Sequence, residues 1–204
     1  VVCGSFAVNG DQNARSAARW DGSTWQAMTL DDDLFGLELR GMFVADLDGE
    51  GPAHESLFVY GYIKQGNQYF RAARWTGSGW DYVPDPTGYI WTRTKVFACD
   101  TDGAGPLPVQ LVTFGTIVNH NTAQERTLVQ RWTGSAWLSL GSGIASPGGN
   151  VLPGDMIVAD CDGPGPQSEQ LVISGYFTDA GGTSATSIAR WDGSSWKPIG
   201  GSIF

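Results

Sequence analysis

The chain is 204 residues long, and its 29 glycines, 10 prolines and nine tryptophans indicate many short strands joined by tight turns. Twenty-one acidic residues against twelve basic ones give a formal net charge of −9, which disfavours contact with phosphate backbones and anionic membrane surfaces. No apolar run approaches the ~20 residues that a spanning helix needs. We therefore predict neither nucleic-acid binding nor membrane insertion.

Three phrases recur along the chain. The first is an apolar run that carries a glycine near its end, and such a run predicts a β-strand. Its four copies are Val1–Phe6, Leu57–Tyr62, Leu111–Thr116 and Leu171–Tyr176. The motif Arg-Trp-x-Gly-Ser-x-Trp follows each copy and begins at Arg19, Arg74, Arg131 and Arg190. The phrase Asp-x-Asp-Gly-x-Gly-Pro precedes the later copies of the run and begins at Asp46, Asp100 and Asp160. A sequence with such regular spacing is a repeat array.

Each complete repeat contains four strand signals, labelled a to d. Strand a precedes the Asp phrase, strand b is the apolar run, and strands c and d flank the Gly-Ser turn, where glycine takes a positive φ. Because both faces of such a sheet carry apolar residues, it must stack between neighbours of its own kind, as in a β-propeller. A β-sandwich or barrel is the alternative, but neither predicts tryptophans that return at the same strand position in every repeat.

We therefore predict an all-β fold, a β-propeller with four-stranded antiparallel blades, three of them complete and one partial. Residues 1–204 are predicted to form a single propeller segment. Its blades cover about 1–41, which lacks strand a, and about 42–95, 96–155 and 156–204. An absent inner strand would expose a sheet edge. Further blades are therefore expected, either from a longer stretch of the same chain or from another copy.

The whole chain resembles secreted bacterial β-propeller repeat proteins whose blades carry Ala-Arg-Trp-Asp-Gly-Ser-x-Trp, and the closest stretch runs from Ser187 to Trp196. Its Asp-Gly-x-x-Trp hairpin is similar to the Asp-box of sialidase-type propellers and to kelch blades, although the leading Ser-x-Asp of the Asp-box is absent. The resemblance implies an extracellular or cell-surface location. It implies no particular activity, because propellers of this kind include lectins, hydrolases, redox enzymes and scaffolds.

The Asp phrase resembles the calcium loops of integrin-type propellers, in which carboxylates of the a–b loop surround a hard cation. Two copies carry a third acidic residue, so the predicted calcium ligands are Asp46, Asp48, Glu55, Asp160, Asp162 and Glu169. The copy at Asp100 and Asp102 has Val109 in that place and is the weaker candidate. The alternative is a plain turn, in which Asp side chains accept backbone hydrogen bonds. The expected cofactor is therefore none, or calcium.

The Arg-Trp motif is predicted to be structural. Its arginines alternate with tryptophan on strand c, and a buried guanidinium needs a hydrogen-bonding partner. The carboxylates of the Asp phrase lie at the same end of the sheet and are the expected partners. Its tryptophans recur in every repeat, which favours packing between blades over a sugar platform. The predicted structural residues are Arg19, Trp20, Trp25, Arg74, Trp75, Trp80, Arg131, Trp132, Trp137, Arg190, Trp191 and Trp196.

The d–a and b–c connections share the other end of the propeller and are the predicted binding loops. An aromatic patch there would consist of Phe35, Tyr69, Phe70, Tyr89 and Trp91. Trp91 has no counterpart in the other repeats. Its alternative role is to open strand a of the next blade and to pack inward.

No catalytic residue is predicted, because the two histidines, His54 and His120, occupy different repeat positions and have no Ser or Cys partner in a recognisable motif. The expected function is a non-catalytic binding module outside the cell or at its surface, with a protein or glycan as the partner. A structural repeat segment of a larger assembly is the first alternative. A propeller hydrolase or lyase with an unrecognised site is the second.

Overall fold

A computed structural model of the chain describes residues 1–8, 11–28, 30, 38–47, 55–65, 68–85, 90–102, 107–118, 125–161 and 169–200. These residues form β-strands and no helix, so the all-β prediction is confirmed. The described residues therefore contain no helical segment that could span a bilayer. The chain divides into two compact units, Val1–Asp46 with Pro52–Gly88, and Leu47–Gly51 with Tyr89–Phe204.

The first unit contains two antiparallel sheets in which each strand pairs with the next along the chain. Sheet 1 consists of β1 (Val2–Val8), β2 (Asp11–Trp20) and β3 (Trp25–Ala27). Sheet 2 consists of β4 (Glu38–Ala45), β5 (Ser56–Gln65), β6 (Gln68–Trp75) and β7 (Trp80–Pro84). The four strands of sheet 2 are the predicted strands a to d in order.

The second unit contains two further antiparallel sheets. Sheet 3 consists of β8 (Ile90–Cys99), β9 (Gln110–Val118), β10 (Glu125–Trp132) and β11 (Trp137–Ser139). Three two-residue strands extend it beside β10, in the order β12 (Ile144–Ala145), β15 (Asp179–Ala180) and β16 (Thr183–Ser184). Sheet 4 consists of β13 (Leu152–Ala159), β14 (Gln170–Tyr176), β17 (Ile188–Trp191) and β18 (Trp196–Pro198).

The apolar runs lie in β1, β5, β9 and β14, the strand that pairs with the Arg-Trp strand in every sheet. The first strands of sheets 2, 3 and 4 begin at Glu38, Ile90 and Leu152, a few residues before the predicted blade boundaries. Each contains a register shift. A bulge interrupts the two-residue alternation, so the sequence pattern identified only the part of each strand that follows it.

A glycine of strand b faces the bulge of strand a. A Cβ atom at Gly115 would lie 2.9 Å from the Cα atom of Thr94 on β8. At Gly175 it would lie 2.9 Å from the backbone nitrogen of Gly154 on β13. In sheets 3 and 4 the glycine near the end of the apolar run therefore permits a close approach of two backbones.

Neighbouring sheets within a unit pack unlike faces together. The face of a sheet that carries the two motif tryptophans is named the tryptophan face, and the opposite face, which carries the motif arginine, is named the arginine face. In the second unit one buried cluster joins Val112 and Phe114 of the arginine face of sheet 3 to Leu171, Ile173 and Trp196 of the tryptophan face of sheet 4.

The first unit repeats this arrangement. Its cluster contains Val59 and Ala73 of sheet 2, with Trp80 packed against them on the tryptophan face of that sheet. Cys3, which shares the arginine face of sheet 1, packs against the same cluster. The same pairing of faces therefore builds both cores.

Candidate functional site

The Arg-Trp motif forms the same hairpin in all four sheets. Its two tryptophans pair directly across strands c and d, with ring centroids 5.5, 5.1, 5.2 and 5.4 Å apart in sheets 1 to 4. Between them the turn glycine has a φ of 93° to 105°. This left-handed conformation favours glycine, which confirms the turn predicted from the sequence.

The first turn residue closes each hairpin with its side chain. Asp21 and Asp192 each accept two backbone hydrogen bonds through Oδ1, whereas Thr76 and Thr133 accept one through Oγ1. The hydrogen bonds that Asp21 accepts from Thr24 and Ser23 hold the pKa of Asp21 well below its usual range. Partial desolvation raises the pKa of Asp192, but the N–H groups of the following two serines outweigh it and lower the pKa to about 2.

The predicted burial of the motif tryptophans is correct for one end of the array and wrong for the other. Trp196 and Trp191 of sheet 4 are 1% and 8% exposed, because the arginine face of sheet 3 packs on them. Trp20 and Trp25 of sheet 1 are 50% and 38% exposed. Within the first unit, sheet 2 packs on the arginine face of sheet 1, and the tryptophan face of sheet 1 stays accessible to solvent. Trp75, Trp80 and Trp132 are partly buried and Trp137 is buried.

The motif arginines reach the first residue of strand b. Arg74 Nε donates to Ser56 Oγ (3.0 Å), and Arg131 and Arg190 donate to Gln110 Oε1 and Gln170 Oε1 (3.0 and 2.6 Å). These contacts tie strand c to strand b beside the Asp phrase. Arg19 is exposed on β2. The hydrogen bonds of the other three are consistent with the anchoring role that the sequence predicts.

In sheet 3 the structure describes residues 100–102 of the Asp phrase, and both carboxylates accept backbone hydrogen bonds. Asp100 Oδ1 accepts a hydrogen bond from the Asp102 N–H (2.9 Å), and Asp102 Oδ2 accepts one from the Leu107 N–H (3.1 Å). Trp191 Nε1 donates to the Thr101 carbonyl oxygen (2.9 Å), which places this loop against the hairpin of sheet 4.

The predicted calcium ligands are only partly described. Glu55, Asp160 and Glu169 are exposed and Asp46 is half-buried, while Asp48 and Asp162 lie outside the described residues. Across the described ranges, no three His, Cys, Asp or Glu side chains form a group that could hold a metal ion. Calcium binding stays a prediction, and calorimetry with calcium on chelator-stripped protein tests it.

Two residues of the predicted aromatic patch have described side chains, and these lie on opposite faces of sheet 2. Tyr69 packs on Tyr62 with ring centroids 5.3 Å apart, and Phe70 packs on Tyr82 with ring centroids 4.9 Å apart and against the core of the first unit. Adjacent strand residues point to opposite faces, which separates Tyr69 from Phe70. Burial of Tyr62 raises its pKa to about 12, and the hydrogen bond with the Tyr69 hydroxyl contributes to the same shift.

The other three residues of the predicted patch are described only in part. The backbone of Trp91 lies in β8, as its alternative role requires. Phe35 and Tyr89 lie outside the described residues.

The sequence pattern did not indicate a buried ion pair in sheet 2. Arg71 Nε lies 2.8 Å from Asp85 Oδ2, and both side chains are 2% exposed. A second hydrogen bond of 3.2 Å joins Arg71 Nη2 to Asp85 Oδ1, so the pair is bidentate. Burial lowers the pKa of Arg71 to about 10, and Asp85 opposes the shift. Because the pair occurs in one repeat only, a search for repeated phrases does not find it.

A polar groove lies at the end of the second unit where the b–c and d–a connections meet. Its volume is about 290 Å³. It is lined by Thr116, Glu125, Arg126, Thr127, Leu128, Ser142, Gly143, Ile144, Ala145, Ser146, Gly149, Val151 and Asp179. The Thr116 and Thr127 hydroxyls are 3.0 Å apart and share a hydrogen bond. The groove therefore presents hydroxyls, two carboxylates and one guanidinium.

The walls of this groove are held by sheet hydrogen bonds. Ile144 of β12 pairs with Thr127 on one side and with Ala180 of β15 on the other. The Gly181 N–H donates to the Gly143 carbonyl oxygen (2.7 Å), and Asp179 Oδ1 accepts from the Gly182 N–H (2.9 Å). The glycines that make these turns can be recognised in the sequence. The pairing of β12 with β10 and β15 cannot be predicted from the sequence.

A second cleft, of about 500 Å³, lies beside the Asp phrase of sheet 3. It is lined by Phe97, Ala98, Cys99, Asp100, Val109, Val158 and Glu169. Burial and the Asp100 charge raise the pKa of the Cys99 thiol to about 12. The thiol is therefore protonated at neutral pH and is a poor nucleophile there.

No protein-family model matches this chain. No curated protein and no solved structure matches it at a significant level either. The geometry of the described residues is therefore what can carry a functional proposal.

Proposed function

We propose that the chain is a non-catalytic binding module of the β-propeller type, which acts outside the cell or at its surface. Four antiparallel sheets that share the Arg-Trp hairpin, and the repeated packing of an arginine face on a tryptophan face, support the propeller architecture. The resemblance of the Arg-Trp hairpins to secreted propeller repeats supports the location. A propeller scaffold would hold its binding site on loops at one end of the blades.

The polar groove is the observation that carries the binding function. Three separate segments converge on it: the ends of β9 and β10, the 142–151 segment, and Asp179 of β15. Its volume of about 290 Å³ is near the lower end of the range for small-ligand sites, roughly 300 Å³. Walls tied by backbone pairing lose little conformational entropy when a ligand binds.

The groove lining favours a ligand that is rich in hydroxyl groups. The side chains of Thr116, Thr127, Ser142 and Ser146 can donate and accept hydrogen bonds, and Glu125 and Asp179 can accept bonds from ligand hydroxyls. A glycan presents donors and acceptors of this kind at high density. We therefore propose a glycan as the ligand class, with a protein segment as the competing class.

A binding screen with matched variants tests this function. The chain is applied to a glycan array and to a peptide array, and each hit is repeated with Glu125→Ala and with Ser142→Trp, which fills the groove. Loss of a charged hydrogen-bonding group costs about 1.5–3 kcal/mol, so at least about tenfold weaker glycan binding is expected. Asp81→Ala, which removes an exposed carboxylate outside the groove, should bind as the unmodified chain does.

Three results would contradict the proposal. They are no binding on either array, glycan binding that both groove variants leave unchanged, and binding to peptides alone. Binding to peptides alone would indicate that the partner is a protein.

A structural repeat segment is the second candidate function. The observation that favours it is the recurrence of one indole-to-carbonyl hydrogen bond between neighbouring sheets, from Trp80 to Met28 and from Trp196 to Leu140. Such a contact can propagate through an array of repeats. Ordered self-association without ligand binding would support this candidate.

A further inference from the structure

We propose that the tryptophan face of sheet 1 docks onto the arginine face of sheet 4 in a second copy of this chain. The inference goes beyond ligand binding at the groove and does not depend on it. It rests on two observations. The contact between sheets 1 and 2 and the contact between sheets 3 and 4 are made by equivalent residues, and the corresponding faces of sheets 1 and 4 are exposed.

One of these equivalent contacts is made by the strand-d tryptophan. Trp80 Nε1 of sheet 2 donates to the Met28 carbonyl oxygen (3.3 Å), and Trp196 Nε1 of sheet 4 donates to the Leu140 carbonyl oxygen (2.8 Å). Met28 follows Trp25 by three residues, and Leu140 follows Trp137 by three residues. Donor and acceptor therefore occupy equivalent repeat positions in the two interfaces.

The strand-c tryptophan adds a second contact of the same kind. Trp191 Nε1 donates to the carbonyl oxygen of Thr101, the middle residue of Asp-x-Asp in sheet 3. A Cβ atom on Gly193 would lie 3.3 Å from the Asp102 carbonyl oxygen. The hairpin of one sheet thus fits closely over the Asp phrase of its neighbour.

The donor half of this interface is exposed on sheet 1. Val2, Trp20 and Trp25 share its tryptophan face and are 38%, 50% and 38% exposed. Large apolar side chains grouped on one face are typical of a contact surface. In sheet 4 the equivalent pair, Trp191 and Trp196, is buried by sheet 3.

The acceptor half is present on sheet 4. The residues equivalent to Leu140 and Thr101 are Ile199, three residues after Trp196, and Cys161, the middle residue of Asp160-Cys161-Asp162. Cys161 is exposed. Ile157, on the arginine face of sheet 4, is 50% exposed. The face thus offers apolar surface and backbone acceptors where the equivalent contacts require them.

A second copy fits because each chain carries both halves on different sheets. The halves are unlike, so the contact is heterologous, head to tail, and successive copies form a ring or an open chain. Docking would place Trp20 Nε1 at the Cys161 carbonyl oxygen and would cover the Cys161 thiol. The thiol is therefore a native reporter of the contact.

The test measures mass by light scattering over a range of protein concentrations. The unmodified chain should rise from 21.8 kDa to at least twice that mass. Trp20→Ser and Ile157→Glu, each altering one half, should remain at 21.8 kDa. Leu138→Ser, which alters an equally exposed side chain (45%) outside both halves, should associate as the unmodified chain does.

Mixing the two deficient variants supplies the decisive measurement. Ile157→Glu retains an intact tryptophan face and Trp20→Ser retains an intact arginine face, so the mixture should form a one-to-one complex. Alkylation of Cys161, located by peptide mass spectrometry, should slow as the complex forms. Circular dichroism of each variant alone shows that it is folded.

Four outcomes would overturn the proposal. They are a 21.8 kDa chain at every concentration, association that both variants retain, deficient variants that fail to complement each other, and protection of Cys161 in a monomer. The last would mean that the same chain covers its own sheet 4.

Discussion

Trp196 Nε1 donates a hydrogen bond of 2.8 Å to the Leu140 carbonyl oxygen, and this bond joins β18 of sheet 4 to the segment that follows β11 of sheet 3. Both residues are buried, at 1% and 5% exposure. Trp196 therefore packs in the apolar core and also donates the hydrogen bond that sets the register between the two sheets.

Trp196→Phe should destabilise the second unit. The ring volume is largely retained, but the buried Leu140 carbonyl loses its indole donor, which costs about 1–3 kcal/mol. Leu138→Ala is the control, because Leu138 is 45% exposed, and its effect should stay within about 0.5 kcal/mol. Urea denaturation followed by far-UV circular dichroism measures both. Equal effects of the two changes would contradict this prediction.

Asp85→Ala should be among the most damaging single changes in sheet 2. It leaves the Arg71 guanidinium, 2% exposed, without its bidentate carboxylate, and an uncompensated buried charge costs about 3–5 kcal/mol. The control is Asp155→Ala, which removes the Lys95–Asp155 pair, where side-chain exposure is 41% and 61%. A pair exposed to this degree contributes about 0–1 kcal/mol. A free energy of unfolding for Asp85→Ala within 1 kcal/mol of the control would refute the assignment.

The Asp192 turn should contribute acid sensitivity. Its pKa, about 2 in the folded chain against 3.8 unperturbed, means that the stabilisation is fully present above about pH 4 and is lost as pH falls through about 2. Asp192→Thr introduces the residue that Thr76 and Thr133 place at this position. Urea melts at about pH 5 and about pH 2.5 should show a smaller acid-induced loss in the variant. The same loss in both proteins would count against the turn hydrogen bonds as its cause.

Gly115→Ala should destabilise sheet 3 through steric overlap. The new Cβ would lie 2.9 Å from both Cα and Oγ1 of Thr94, and relieving such overlap in a packed site costs about 1–3 kcal/mol. Gly79→Ala is the control, since a Cβ there meets nothing within 4 Å. Its effect should be within about 0.5 kcal/mol in thermal or urea unfolding. A tolerated Gly115→Ala would show that the bulge of β8 adapts.

The sequence by itself determined the local structure of this protein. The Arg-Trp-x-Gly-Ser-x-Trp phrase specifies a hairpin because the turn glycine accepts a φ near 100° and the first turn residue bonds its own backbone. The apolar runs are continuous, as is typical of strands that are buried on both faces, and they identified strand b in all four sheets. These features depend on neighbouring residues, and a repeat makes them visible several times.

Only the tertiary structure decided what depends on distant residues. Which motif tryptophans are buried follows from which sheet covers each face, so Trp191 is buried and its counterpart Trp20 is half exposed although their local sequences match. The Arg71–Asp85 pair and the groove at Ile144 and Asp179 arise from contacts made once, between segments that carry no shared phrase. A repeat pattern describes what all copies have in common, whereas these sites lie where the copies differ.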